Sequence, residues 1–319
     1  SVETLKIHNN NLVEFQISEN LSFLDVSFNQ ISEIDCSNKS NLEYLSIESN
    51  NLENLPTRIW DSSKLKYVNL KNNYISRVYK QISRLRDNLQ FLDLSENNLI
   101  EIHDNLAALY NLEILKINDQ KPSLIIQKNE VQNLLNPVHF KFLQNLSILN
   151  LENSNMNKQD VCNLLSYDHK NLVQLNLNNN NFNGLSKTDD QLDLGLPIDI
   201  YLWNNVSEIK ILKLRGNGLR NLPEVIFKIL KNLEELDLGE NLLFYDDFVE
   251  VDFTDGRSKK GKILKCSVPV SCAQKISILP YFDRISVNLS CVFFRTVLFA
   301  SERLWALPNE PTFVVRMFR

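Results

Sequence analysis

The chain has 319 residues, a formal charge of −5 and 43% hydrophobic residues, enough apolar mass for a sizeable core. An acidic balance without a basic stripe argues against a nucleic-acid partner. No uncharged apolar run is long enough to span a membrane, and the best, 287–300, is interrupted by Asn288 and Arg295.

One pattern starts at the first residues, where a secretory leader would otherwise stand. It is an apolar residue, two variable, Leu, one variable, apolar, two variable, Asn, one variable, apolar. It reads Val2/Leu5/Ile7/Asn10/Leu12, Leu21/Leu24/Val26/Asn29/Ile31, Leu42/Leu45/Ile47/Asn50/Leu52, Leu65/Val68/Leu70/Asn73/Ile75 and Leu89/Leu92/Leu94/Asn97/Leu99. Two irregular copies follow: Leu112/Leu115/Ile117, with Gln120 in the Asn slot, and Leu146/Leu149/Leu151/Met156, with Ser154 there. It returns as Leu172/Leu175/Leu177/Asn180/Phe182, Ile209/Leu212/Leu214/Asn217/Leu219 and Leu233/Leu236/Leu238/Asn241/Leu243. Alternate residues of a strand face opposite sides, so Leu92 and Leu94 point inward and Asp93 outward. Such short strands cannot bury an apolar face alone, whereas stacked copies form a parallel sheet with a continuous core behind it. The Asn then satisfies backbone groups in the following turn, where an unpaired group costs roughly 1–3 kcal/mol.

Between the copies, 118–145 lengthens one repeat, with Pro122 and Pro137 as breaks and a helical turn expected over Glu130–Leu135. Residues 157–168 predict a helix, because Val161, Leu164 and Leu165 recur at helical spacing. The longest insertion, 183–208, combines Asp189, Asp190, Asp193 and Asp199 with apolar residues that include Tyr201 and Trp203; long insertions in repeat arrays are often functional loops. The pattern stops at Leu243. An alternating stretch, 248–253, predicts a strand and Thr254-Asp255-Gly256 a turn. The expected organisation is a repeat array over 1–243, then a C-terminal cap or the start of a further domain over 244–319.

Over residues 2–243 these copies, with Leu55-Pro56-Thr57-Arg58-Ile59 and the near match Leu222-Pro223-Glu224-Val225-Ile226, resemble the leucine-rich repeat superfamily. The variant is similar to that of its intracellular signalling scaffolds and of the repeat regions of fungal adenylyl cyclases. The resemblance implies an α/β solenoid of about ten repeats with a curved parallel sheet on its concave face. It also implies a surface for binding a protein rather than for catalysis.

The chemistry-bearing residues fit that expectation. Gly256 to Lys262 follows a phosphate loop for its first positions, but Ile263 stands where Ser or Thr must meet the metal. His8, His103, His139 and His169 lie in different repeats without metal-ligand spacing. The cluster Asp246, Asp247, Glu250, Asp252 and Asp255 lacks the spacing of a calcium loop and reads as a solvated segment. No catalytic residue, cofactor or metal is assigned. The five cysteines, Cys36, Cys162, Cys266, Cys272 and Cys291, are odd in number and do not form the cysteine cap that the resemblance implies for secreted members. They read as reduced thiols of a cytoplasmic protein. Five Asn-x-Ser triplets, at Asn20, Asn38, Asn145, Asn205 and Asn288, match the roughly four that chance gives.

The residue before the second consensus Leu faces out of the core. Down the array this column reads Thr4, Phe23, Tyr44, Tyr67, Phe91, Ile114, Ile148, Gln174, Ile211, Glu235. Its consecutive aromatics predict a stacked ladder, suited to anchoring a partner or to packing within the sheet. The column beyond that Leu is mixed in charge (Lys6, Asp25, Ser46, Asn69, Asp93, Lys116), which suits a protein better than a polyanion. The expected binding residues are Phe23, Asp25, Tyr44, Tyr67, Asn69, Phe91 and Asp93, with Tyr201 and Trp203 on the rim. The expected function is a monomeric interaction scaffold whose concave face binds another protein. The alternatives are the regulatory repeat region of a larger signalling enzyme, of cyclase or phosphatase type, and the substrate-recognition part of a ubiquitin ligase. The last lacks any adaptor-binding motif here.

Overall fold

The computed structural model describes residues 2–242, except 37–40, 56, 122–136, 181, 183–199 and 220–224, and three short strands beyond them. Outside the described residues lie the expected helical turn 130–135, most of the 183–208 insertion, the Leu222–Pro223 motif and the sequon at Asn38. The same holds for the array's end at residue 243, the strand 248–253, the acidic cluster, the phosphate-loop near match and Cys266, Cys272 and Cys291.

The chain divides into two compact units, Ser1–Asn155 with Asn163–Leu172 and Met156–Cys162 with Val173–Arg319. In the first, the described residues form seven parallel three-residue strands: Thr4–Lys6, Phe23–Asp25, Tyr44–Ser46, Tyr67–Asn69, Phe91–Asp93, Ile114–Lys116 and Ile148–Asn150. Their register is the register of the sequence repeat, with Leu5 opposite Leu24 and Val68 opposite Leu92. In the second unit Gln174–Asn176, Ile211–Lys213 and Glu235–Asp237 pair in the same way. The strand Ile263–Lys265, beyond the last consensus copy, adds in parallel to Glu235–Asp237. Val287–Leu289 and Phe313–Val315 pair antiparallel.

The central Leu of each strand is buried wherever another coil covers it on both sides, as at Leu24, Leu45, Leu92 and Leu115. The chain returns behind the sheet through two-stranded ribbons, Glu14–Gln16 with Glu33–Asp35 and Arg77–Val78 with Glu101–Ile102. Elsewhere it returns through 3-10 turns such as Lys80–Leu85 and Asp104–Ala108. The helix foreseen within 157–168 spans Lys158–Leu165 and buries Val161, Leu164 and Leu165. Asn157 caps it: its Oδ1 accepts from the N–H groups of Gln159 (2.8 Å) and Asp160 (3.1 Å), while Asp160 accepts from the Asn157 N–H. This reciprocal pattern is a capping box.

The consensus Asn holds successive coils together. Asn97 is fully buried. Its Nδ2 donates to Leu94 and Ser95 carbonyls of its own turn and to the Leu70 carbonyl of the preceding coil, and its Oδ1 accepts from the Ile75 N–H. Asn29, Asn50 and Asn73 repeat the arrangement. Gln120, irregular by type, makes the same bonds with its longer side chain, to Leu99 N–H at 3.1 Å and Leu94 carbonyl at 2.9 Å. The residue before each slot is left-handed, from Asn9 to Glu240, which turns the chain sharply out of the strand.

A second ladder has no counterpart in the consensus. The Asn preceding the first consensus apolar residue donates to a backbone carbonyl of the preceding coil: Asn41 to Glu19, Asn88 to Ser63, Asn111 to Asp87, Asn145 to Tyr110 and Asn171 to Gln144. The strands are thus stitched to their neighbours at both ends. Of the cysteines, Cys36 is buried and Cys162 partly buried.

Removing the Asn97 amide by Asn97→Ala should destabilise the array by about 1–3 kcal/mol through unpaired buried backbone groups. An unchanged denaturant midpoint would refute the role given to the ladder.

His139 and His169 are each only 1% exposed, and neither ring completes a well-aligned hydrogen bond, although Asp104 Oδ1 lies 3.2 Å from His139 Nε2. Burial pushes both pKa values down; Asp104 opposes it at His139, and the Leu143 backbone and Asp168 at His169. Below about pH 6.5 the unfolded chain takes up protons that these native rings refuse. Their contribution to stability is therefore intact above that pH and lost as the pH falls towards the lowered native values. The thermal midpoint of the wild type should drop more between about pH 7 and pH 5 than that of a His139→Leu, His169→Leu variant. Parallel pH profiles would show that the two rings are not the cause.

Candidate functional site

The in-register pairing brings Phe23, Tyr44, Tyr67 and Phe91 into one row across four strands of the first unit. Their rings stack nearly parallel, with centroids 4.1, 4.2 and 4.1 Å apart and interplanar angles of 5°, 8° and 7°. Neighbouring strands lie about 4.7–4.9 Å apart, so the rings converge above the sheet. All four side chains are half-buried. Burial raises the pKa of both Tyr44 and Tyr67, and their hydroxyls interact with one another.

Both ends of the stack are covered. The Lys6 ammonium sits over Phe23, 5.0 Å from the ring centroid, and that of Lys116 over Phe91 at 5.3 Å. These cation–π contacts occupy the two outer faces. Lys6 and Lys116 belong to the polar column of the coils that flank the aromatic run. Their position on either side of four aromatic coils was the signal, and reading each column separately missed it.

The polar column departs from expectation. Asn69 and Asp93 are 8% and 4% exposed, so little of either can meet a partner. Each instead accepts the backbone N–H two residues on, Asn69 from Lys71 at 3.1 Å and Asp93 from Ser95 at 3.0 Å. Asp25 does the same with Ser27, as do Asn150, Asn176 and Asp237 farther along. These are Asx-turns at strand ends, a structural reason for Asp and Asn in this column. Asn69 also donates to Glu48 at 2.9 Å, and Asp93 lies 3.4 Å from Lys116. Asp25 remains partly exposed, 3.6 Å from His8.

Tyr201 and Trp203 sit on the 3-10 turn Ile200–Val206 of the second unit. Tyr201 is 74% exposed, but Trp203 is completely buried. Its indole packs into the core, so Trp203 is corrected from a rim residue to a core residue. Among the described residues no group of three His, Cys, Asp or Glu side chains could hold a metal ion, and no helix is long and apolar enough to cross a membrane.

The family described as leucine rich repeat matches residues 40–99. Over 77% of the chain the sequence is 26% identical to Tsukushi of Gallus gallus, covering 69% of that protein. It is 29% identical to keratocan of Mus musculus over 63% of either chain, so it falls short of two thirds of that relative's length. It is 23% identical to adenylate cyclase of Schizosaccharomyces pombe over 83% of this chain but only 16% of the enzyme. Among solved structures, a chain of the octameric complex of Latrophilin 3, Unc5D and FLRT2 (LRR) shares the fold, with a TM-score of 0.55 at 18% identity over 87% of this chain and 89% of that one. Repeat register, asparagine ladder and the family match over residues 40–99 agree: the chain folds as an array of leucine-rich repeats.

Proposed function

We propose that the exposed face of the first unit's sheet binds another protein, centred on Phe23, Tyr44, Tyr67 and Phe91. The observation that carries this reading is a row of four half-exposed aromatic rings in mutual contact on an open surface. Aromatic residues are favoured hot spots at interfaces. Because ring faces are sealed by one another and by Lys6 and Lys116, a partner meets ring edges and the two phenol groups. Asp25 supplies a polar contact at the margin. Asn69 and Asp93 serve as struts that fix the strand ends, and Tyr201 is a candidate contact on the second unit.

The function is that of an interaction module, with no catalytic group or cofactor assigned. The match to an adenylate cyclase of which the chain covers 16% favours one second reading, a regulatory repeat region within a larger enzyme; the same face would then bind the regulator. A cytoplasmic location is proposed on the odd cysteine count and the missing cysteine cap. A Cys266–Cys272 or Cys272–Cys291 bridge in non-reduced peptide maps would instead place the chain in an oxidising compartment.

The test of the binding face is the double substitution Tyr44→Ala, Tyr67→Ala, scored for affinity towards a partner identified on the wild type and for thermal stability. Loss of stacking should lower the melting temperature modestly, since an aromatic pair contributes about 0.5–1.5 kcal/mol beyond its buried area. Binding by the folded protein should weaken at least tenfold, as expected of about 1.4 kcal/mol or more at a hot spot. Full affinity in the folded fraction would make the ladder purely structural.

A further inference from the structure

One rung of the asparagine ladder sets its amide beside a glycine. Asn217 is followed by Gly218, whereas the other ladder asparagines are followed by residues that carry a side chain, such as Tyr74 and Asn98. The backbone calls for this glycine: at φ 66° Gly218 lies in the left-handed region, where a Cβ is unfavourable. The pair is chemically reactive. No side chain shields the Gly218 nitrogen, which on losing its proton can attack the Asn217 side-chain carbonyl carbon. The N–Cγ bond forms, the Cγ–Nδ2 bond breaks, and Nδ2 leaves as ammonia with a proton. Water then opens the succinimide to aspartate or isoaspartate.

The folded coil opposes that attack. Asn217 is 2% exposed. Its Nδ2 donates to the carbonyls of Leu177 (2.9 Å), Leu214 (3.0 Å) and Arg215 (3.2 Å), and its Oδ1 accepts from the Asn180 N–H (3.0 Å). While these bonds hold, the amide cannot swing onto the following nitrogen. The backbone on either side of Gly218 is held as well. Asn241 Oδ1 of the next coil accepts from the Asn217 N–H (2.9 Å) and the Leu219 N–H (3.0 Å). All these residues belong to the second unit.

The product would not fit the closed coil. A carboxylate has no donor, so at position 217 it would set a buried charge against three carbonyl oxygens. Isoaspartate would also add a main-chain atom within the turn. We propose that Asn217 is a latent deamidation site: the closed ladder keeps it intact, local opening of its coil delivers it to the Gly218 nitrogen, and the reaction with water makes that opening permanent.

The experiment incubates the full chain in warm, mildly alkaline, isotopically labelled water and follows Asn217 conversion by peptide mapping. Conversion in native buffer should be at least about tenfold slower than in urea above the unfolding midpoint, because it waits for local opening. It should accelerate in urea below the midpoint, and in Asn241→Ala, which removes the acceptor of both flanking N–H groups. The variant Asn217→Asp should melt below the wild type. Equal rates in the native and unfolded chain would overturn the proposal, as would a native rate that neither Asn241→Ala nor urea below the midpoint changes. An Asn217→Asp variant that melts with the wild type would overturn the permanence of the opening.

Discussion

The coil-to-coil amide bridge is the constraint on which the structure depends. A carboxamide carries an acceptor and two donors on one short, planar group. At Asn50 these close the coil's own turn through the Ile47 and Glu48 carbonyls, and reach the preceding coil at the Val26 carbonyl and the Ile31 N–H. Turn and stack are therefore specified by one side chain. A hydroxyl does this less well: Ser154 Oγ reaches the Ile117 carbonyl only at 3.4 Å. A Gln succeeds because one added methylene keeps the same donor–acceptor pair, as Gln120 shows.

Fixing the register by this bridge has a consequence on the outer face. Whatever occupies a given position in consecutive coils is brought into contact, whether or not the residues attract one another. Four aromatics in consecutive copies must become a stack, and the lysines of the coils on either side must meet its ends. The ladder is then more rigid than four separate surface rings, and the proposed binding there would cost less conformational freedom.

Much of this was legible in the sequence, because strand, core and turn residues recur at fixed intervals. The inward Leu positions, the helix at Lys158–Leu165 and the aromatic row follow from periodicity alone. What was not legible has three physical sources. The second Asn ladder, at Asn41, Asn88, Asn111, Asn145 and Asn171, uses a position outside the repeat consensus. The Asp and Asn residues at strand ends are ambiguous, since the carboxylate or amide that could orient a partner equally accepts the N–H two residues on. Asp93 is the clearest case, and only its burial decides. For Trp203 no periodic neighbour exists to tell inward from outward, so an insertion residue that looked like a rim aromatic proved to be core.

The same ambiguity runs the other way at Phe28. A repeat makes deviations measurable, because each coil is a control for the rest. Where the slot demands a left-handed residue, Asn, Asp, Ser, Glu and Gly all satisfy it in this chain, and the phenyl ring is the departure. Deviations that the fold itself explains, such as Gln120, keep the bonds of the consensus residue. Phe28 keeps the backbone bond to the next coil and leaves its ring about half exposed. Both kinds of departure leave the coil-to-coil backbone bonds in place, because the left-handed turn is fixed by those bonds and by the ladder amide rather than by the side chain that occupies the turn.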